Sequence, residues 1–289
     1  CLGLIATNRY DALHTHEEAG LFGAILRRVI RKPHVYDMHS DLGQQLTNFQ
    51  FTRNRLLIGL MNRVQRFILR GSDAVIVICP DLERRVRAMC PGKPVVLVEN
   101  TSMLGARREP SAQEVEGLRQ RLGLGGKKVI LYTGTLESYQ GLEMLLRSAP
   151  RVVSSHPEII YLIVGGRPQQ VAALEALADE LGVRNNVIFR GVRPVEEMWI
   201  YMALADVLVS PRLRGTNTPL KLYSYLYAGR PILATNLLTH TQVLDGETAL
   251  LVEPNPEALA QGALRLLEDD ALRERLAENG LRLARTGYS

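Results

Sequence analysis

An α/β architecture with two parallel sheets is what this sequence predicts, and three observations predict it. Short apolar runs of strand length alternate with segments of helical period from Tyr10 onward. The alternation falls into two sets, parted by the turn-rich stretch "NTSMLGARREPS". Several runs end in short loops that carry glycine and arginine. Strict alternation of strand and helix implies parallel strands joined by right-handed crossovers.

In order, the first set of strands is expected at residues 11–14, 33–36, 74–78 and 95–98. The second is expected at 128–132, 159–164, 187–189, 206–209, 231–234 and 249–252. Each is a run rich in Val, Ile, Leu or Tyr bounded by turn residues, the pattern of a strand buried on both faces. Helical periods fill the gaps, as at 142–153, 169–181, 194–203 and 256–267. Glu17 and Glu18 are placed to cap a helix starting near Ala19, where acidic groups oppose the dipole. Two such sets make two Rossmann-like domains, 1–104 and 105–289, the first of them incomplete. With no initiator Met, the chain is expected to be a piece of a longer protein.

The charge is uneven. Residues 1–100 hold 14 Lys and Arg against 9 Asp and Glu, and the remainder is balanced at 21 of each. No acidic residue occurs from Leu42 to Ser72. Two segments read as amphipathic helices with cationic rims. "LFGAILRRVIRKP" sets Leu21, Phe22, Ile25, Leu26, Val29 and Ile30 apart from Arg27, Arg28, Arg31 and Lys32. The second, over 51–70, carries Arg53, Arg55, Arg63, Arg66 and Arg70. Residues 21–34 and 51–70 therefore suit an anionic membrane surface, where each basic group is worth roughly 1 kcal/mol. No nucleic-acid recognition motif accompanies the charge, so nucleic acid is not an expected partner. No apolar run reaches the roughly 20 residues that span a bilayer. The three cysteines, Cys1, Cys79 and Cys90, show no disulfide framework and suit a reducing, cytoplasmic compartment.

In open parallel sheets, ligands bind beyond the carboxyl ends of the strands. Four such ends in the second half draw attention: "TGTLESYQG", "GGRPQQ", "RGVRP" and "SPRLRGTNTP". The last combines Arg212 and Arg214 with Thr216, Asn217 and Thr218, then Pro219 and Lys221 in the first turn of the next helix. Thr218 is expected to cap that helix and Pro219 to take its first position. Basic side chains beside a helix start are a natural cradle for phosphate. No Asp-x-Asp occurs, and His14, His16, His34, His39, His156 and His240 lack the spacing of a metal site. No metal and no cofactor are expected.

The order of these segments resembles the family-four glycosyltransferases of the GT-B fold, over nearly the whole chain. The pieces that carry the likeness are "YDALHTHEEAG", "SDAVIVICPDLERRV", "LYTGTLESYQGLEMLL", "VIFRGVRPVEEMWIYMALADVLVSPR", "PLKLYSYLYAGRPILATN" and "DGETALLVEPNPEALAQGALRLLED". The resemblance implies two domains facing a cleft. It implies transfer of a sugar from a nucleotide diphosphate sugar, with retention of configuration and without a metal. The acceptor would be a lipid-linked or cell-envelope glycan. It places His16 near the reaction centre; His39, in "DMHSDLGQQL", is a second candidate, for the acceptor side, and could equally serve the cap of the next helix. The resemblance sets Gly134, Thr135, Gln140, Gly141, Gly191, Val192, Thr216 and Ser224 about the donor, and their own place at a strand end and helix start adds Arg212, Arg214, Asn217, Thr218 and Lys221.

The sequence also departs from its relatives. The family's Gly-rich first loop is absent and its last crossover helix is shortened. Its Arg and Lys in the first donor loop correspond here to Thr135 and Gln140, and its two glutamates to Thr216 and Ser224. The Arg212, Arg214 and Lys221 cluster is expected to take over the phosphates. A nucleotide-sugar epimerase, or a non-catalytic membrane-associated module, are the alternatives these losses leave open.

Overall fold

The computed structural model describes residues 10–43, 54–101 and 109–288. The chain divides into two compact units, Cys1–Glu99 and Asn100–Ser289. The expected boundary at 104 lies outside the described residues.

In the first unit four strands run parallel in the order of the chain: β1 (Leu13–His16), β2 (His34–Met38), β3 (Ala74–Val77) and β4 (Val95–Leu97). The crossovers are α1 (Gly20–Ile30), α2 (Arg55–Arg70) and α3 (Pro80–Met89). Tyr36, Met38, Val75 and Val77 from the sheet meet Ile68, Leu69, Leu82 and Val86 from the helices. β1 lies two residues later than the sequence suggests, because its pairing with β2 begins at Leu13 opposite His34. Glu17–Ala19 forms a 3-10 turn ahead of α1, and neither acidic side chain caps the helix.

The helix faces also differ from expectation. The buried residues of α1 are Gly20, Gly23 and Ala24, not its large apolar ones. A Cβ on Gly20 would lie 2.6 Å from the Tyr36 ring, and one on Gly23 would lie 2.3 Å from His34 Nε2. This small-residue seam lets α1 lie close on the sheet. Phe22 (68% exposed), Ile25 and Val29 (74%) consequently point outward. On α2, Leu56 (85%), Leu57 and Leu60 are likewise exposed, while Gln65, Ile68 and Leu69 are buried.

The second unit holds six parallel strands: β5 (Lys128–Thr133), β6 (Ile159–Val164), β7 (Val187–Phe189), β8 (Val207–Ser210), β9 (Ile232–Thr235) and β10 (Leu250–Val252). Their order is β10-β9-β8-β5-β6-β7. The chain therefore builds outward from β5 to β7, returns to β8 beside β5, and builds outward the other way. Helices α4 (Ala112–Arg121), α5 (Leu142–Ser155), α6 (Pro168–Glu180), α7 (Met198–Leu204), α8 (Leu220–Ala228), α9 (Leu238–Thr241), α10 (Pro256–Glu268) and α11 (Asp270–Gly287) complete the unit. Both faces of the sheet are covered, which is why every residue of β6 is buried. Such a reversal of strand order opens a crevice at the strand ends. Here it lies between the loops that follow β5 and β8.

Candidate functional site

Those two loops are fastened together at the reversal point. Leu213 N–H donates to Tyr139 O at 2.9 Å. Gly141 sits at φ 77°, and a Cβ there would come within 1.8 Å of Pro211 O. Only glycine fits both the left-handed backbone and that approach.

Within this frame Lys221, in the first turn of α8, reaches back across the end of β5. Its Nζ lies 3.7 Å from the centre of the Tyr132 ring and donates to Gln140 Oε1 at 3.4 Å. Gln140 Nε2 in turn donates to Thr135 Oγ1 at 3.4 Å, and Tyr132 O–H donates to Thr135 O at 2.6 Å. A Cβ on Gly134 would lie 3.2 Å from Lys221 Nζ. Thr135, Gln140 and Lys221, expected about the donor on separate grounds, thus form one cluster. Burial, with the Arg212 charge adding to it, pulls the Lys221 ammonium well below its ordinary range.

Arg212 is the second cation. Its guanidinium lies 5.3 Å from the centre of the Tyr139 ring. Nη1 donates to Thr239 Oγ1 at 2.8 Å and to Asn217 O at 3.2 Å. The Nε atoms of Arg212 and Arg214, and the hydroxyl of Thr218 (5% exposed), are buried without a hydrogen-bond partner. No ion pair joins Arg212, Arg214 or Lys221 to a carboxylate among the described residues. Buried cations without counter-charge are costly unless an anion arrives.

The loop is braced from a quarter that the sequence reading passed over. Thr239 Oγ1 donates to Asn217 O at 2.6 Å, Gln242 Nε2 to Thr216 O at 2.6 Å, and Thr235 Oγ1 to Arg212 O at 2.7 Å. His240, fully buried, lies 2.7 Å from Thr235 O through Nδ1 and 2.9 Å from Ser210 Oγ through Nε2. A carbonyl only accepts, so Nδ1 carries the proton and Nε2 accepts from Ser210. Burial presses the His240 pKa down to about 3, and Arg212 and Lys221 act the same way against the Thr235 hydrogen bond. The strand-end rule, applied to β9 as it was to β8, points to this "TNLLTHTQ" segment.

Two expectations need correction. Pro219, not Thr218, is the N-cap of α8, and no side chain caps that helix. Its ψ of 127° is extended, so the helix starts at Leu220. Ser224 is buried in α8. Gly191 and Val192 follow β7, where Gly165 N–H donates to Gly191 O at 2.7 Å and Val192 is exposed.

In the first unit, His16 ends β1 and is exposed, and His39 follows β2 and is half-buried. Their rings meet edge to face at 4.3 Å. Asp37, paired with His16 in register, lies with Oδ1 3.2 Å from His39 Nε2 and Oδ2 3.8 Å from His14 Nε2. After His16 the chain turns sharply: Glu17 holds φ 50°, and Ser40 Oγ donates to its carboxylate at 2.6 Å. Linear spacing shows no metal set, yet the strand ends assemble one candidate: His16, Asp37 and His39 place ligating atoms within 4.8 Å of one another. Arg27, expected on the cationic rim, is instead paired with Asp73. Arg53 lies outside the described residues.

An open sheet with a basic cluster at its reversal point, and a second parallel-sheet unit earlier in the chain, define an α/β protein built of two such units. Residues 115–282 match the family glycosyl transferases group 1, and residues 2–101 match the glycosyl transferase 4-like domain. The chain belongs to the glycosyl transferases group 1 family and is a glycosyltransferase. An uncharacterized glycosyltransferase of Methanocaldococcus jannaschii is 26% identical over 100% of this chain and 74% of its own length. The alpha-D-kanosaminyltransferase of Streptomyces kanamyceticus is 26% identical over 94% of this chain and 70% of its own. A GDP-mannose-dependent phosphatidylinositol monomannoside mannosyltransferase of Mycolicibacterium smegmatis is 32% identical over 66% of this chain and 52% of its own. Among solved structures, Anabaena HepE in complex with UDP matches with a TM-score of 0.85 at 19% identity, over 100% of this chain and 77% of that one. Sucrose-phosphate synthase from Thermosynechococcus elongatus matches with a TM-score of 0.81 at 24% identity, over 100% and 72%. The fold is that of the GT-B glycosyltransferases. No helix among the described residues is long and apolar enough to cross a membrane.

Proposed function

We propose that the chain transfers a sugar from a nucleoside diphosphate sugar to a glycan or lipid-linked acceptor, retaining the anomeric configuration and using no metal. The observation that carries this reading is the half-buried pair Lys221 and Arg212, which has no carboxylate partner among the described residues at the crevice where strand order reverses. A departing diphosphate bears the negative charge that this pair lacks. Groups fixed before the reaction stabilise such charge without reorganising, an effect worth about 3–4 kcal/mol per donor at comparable sites. In the transfer, the acceptor oxygen bonds to the anomeric carbon as the bond to the diphosphate breaks, and the acceptor proton passes to a departing phosphate oxygen.

Lys221 also bears on the departures from family pattern. The resemblance assigns a lysine to the position of Gln140, and here Lys221 reaches Gln140 Oε1 from the neighbouring loop. The charge is supplied from α8 rather than from the β5 loop. His16 would orient the acceptor, the role that its place in the family pattern suggests. A named relative that uses GDP-mannose on a phosphatidylinositol mannoside supports both a nucleotide-sugar donor and a lipid-linked acceptor.

The outward apolar stripes of α1 and α2 suit an acceptor held at a membrane. Phe22, Ile25 and Val29, with Leu56, Leu57 and Leu60, are exposed alongside Arg28, Arg31, Arg55, Arg63, Arg66 and Arg70. That composition fits an anionic bilayer surface at the cytoplasmic side.

The test is a turnover assay of the intact chain with UDP- and GDP-hexoses, with and without chelator. Proton NMR would give the anomeric configuration of the product. Retained configuration and chelator-independent turnover are expected; an inverted product, or turnover abolished by chelator and restored by cation, overturns the reading. Vesicle flotation checks the surface. Binding to phosphatidylglycerol vesicles, weakened by salt and absent on phosphatidylcholine, is expected; equal binding to both removes the electrostatic part.

A further inference from the structure

We infer that His16, Asp37 and His39 form a binding site for a late first-row divalent cation, of which Zn²⁺ is the type. Three observations converge on it. First, the register of β1 with β2 sets His16 opposite Asp37, and His39 follows two residues later. Their ligating atoms then lie within 4.8 Å of one another. Second, Asp37 Oδ1 is buried and receives no hydrogen bond, although His39 Nε2 lies 3.2 Å away. A buried carboxylate oxygen without a donor is a group in want of a cation. Third, the ligand chemistry is selective. Two imidazoles and one carboxylate suit zinc, cobalt, nickel or copper, and not magnesium or calcium, which take oxygen ligands.

The geometry needs little adjustment. Ligand bonds of about 2.0–2.2 Å to a tetrahedral ion put neighbouring ligand atoms about 3.4 Å apart. The His39–Asp37 edge is already near that length at 3.2 Å. Only the His16 ring has to swing inward, and it is exposed at the end of its strand. Three protein ligands leave a coordination position open. His14, with Nε2 3.8 Å from Asp37 Oδ2, contacts the other carboxylate oxygen and helps to hold that group in place. Such an outer partner orients a ligand without joining the set.

The signal was not available from linear spacing, because the ligands come from two strand ends more than 20 residues apart along the chain. Occupancy would engage His16, so Zn²⁺ is expected to inhibit transfer. That consequence rests on the role proposed above for His16; binding does not.

The experiment is calorimetric titration of the intact, chelator-stripped chain with ZnCl₂, and with CoCl₂ followed by visible absorption. One cation per chain is expected, with cobalt bands from an N/O site. His39→Ala and Asp37→Asn should each weaken binding at least tenfold. His156→Ala should bind as the parent does, although His156 also touches two carboxylates, those of Glu158 and Glu268. Circular dichroism reports folding. Should His39→Ala unfold, His16→Ala, whose ring is exposed, makes the same test. Equal binding by parent and His16→Ala, or loss of binding in His156→Ala, overturns the site. Stoichiometric binding without inhibition would count against the role of His16 and leave the site standing.

Discussion

The strand ends of the two sheets hold their polar groups in opposite states. In the second unit, Lys221 and Arg212 are drawn against aromatic rings, His240 is fully buried, and the loop is braced by Ser210, Thr235, Thr239 and Gln242. In the first, the His16 ring stands exposed, and its neighbour His39 is half-buried. The difference bears on the part each sheet would play in the proposed transfer. Charge fixed and desolvated before a ligand arrives suits a diphosphate, whose own charge is constant across substrates. Imidazoles left partly in water can turn to meet an acceptor or a cation of variable shape.

Breaking the fixed set should have the largest effect. Lys221→Met and Arg212→Ala are each expected to lower transfer by about 10²–10³-fold, in line with loss of one preorganised donor. The matching change on the open side, His39→Ala, is expected to act more mildly on donor binding. Steady-state kinetics with a saturating acceptor would read both.

Next comes the fastening of the loops. Gly141→Ala forces a Cβ toward Pro211 O at a residue with φ 77°. It is expected to destabilise the chain by about 2–4 kcal/mol, seen as a fall in Tm of roughly 5–15 °C. A Gly59→Ala change, on the exposed side of the first unit where nothing lies within 4 Å, should leave Tm within a degree or two.

The comparison can be sharpened with pH. His240 has a folded pKa of about 3, against an ordinary value of about 6.5. Between those limits the unfolded chain takes up a proton that the folded chain refuses. Stability should therefore be unaffected above pH 6.5 and fall as the pH drops below it, by about 1.4 kcal/mol per unit from this group alone. Denaturant titrations from pH 7 to 4 would show it, and His240→Gln should remove that share of the slope.

The smallest effect is expected from the brace itself. Thr239→Val loses the contacts to Arg212 and Asn217 O, worth about 1–2 kcal/mol together. A rise of about tenfold in the donor KM with little change in kcat would fit a residue that positions Arg212 without touching the reaction.

Much of this was legible in the sequence, and the misses have physical causes. A strand buried on both faces writes a continuous apolar run, so β6 was placed to the residue. That Thr135, Gln140 and Lys221 share one cluster agrees with two sequence cues, the resemblance for the first two and a helix start beyond a strand end for Lys221. Lys221 reaching to Gln140 was not legible, since nothing local says which way a long side chain turns. Thr239 and His240 were missed because they serve the β8 loop from beyond the next strand. The faces of α1 were misread for another reason. Periodicity weighs large apolar residues, whereas close packing selected Gly20, Gly23 and Ala24 and turned Phe22 and Val29 outward. The capping of α8 failed on one dihedral, the extended ψ of Pro219.

The measurement that tests the central claim most directly is calorimetric titration of the intact chain with UDP and GDP in two buffers of different ionisation enthalpy. Burial holds Lys221 below its usual pKa, and a bound diphosphate should raise it again. One nucleotide should bind at a single site with uptake of a proton, visible as a buffer-dependent enthalpy, and binding should vanish in an Arg212→Ala/Lys221→Met variant that stays folded. Nucleotide binding of undiminished affinity in that double variant would contradict the account.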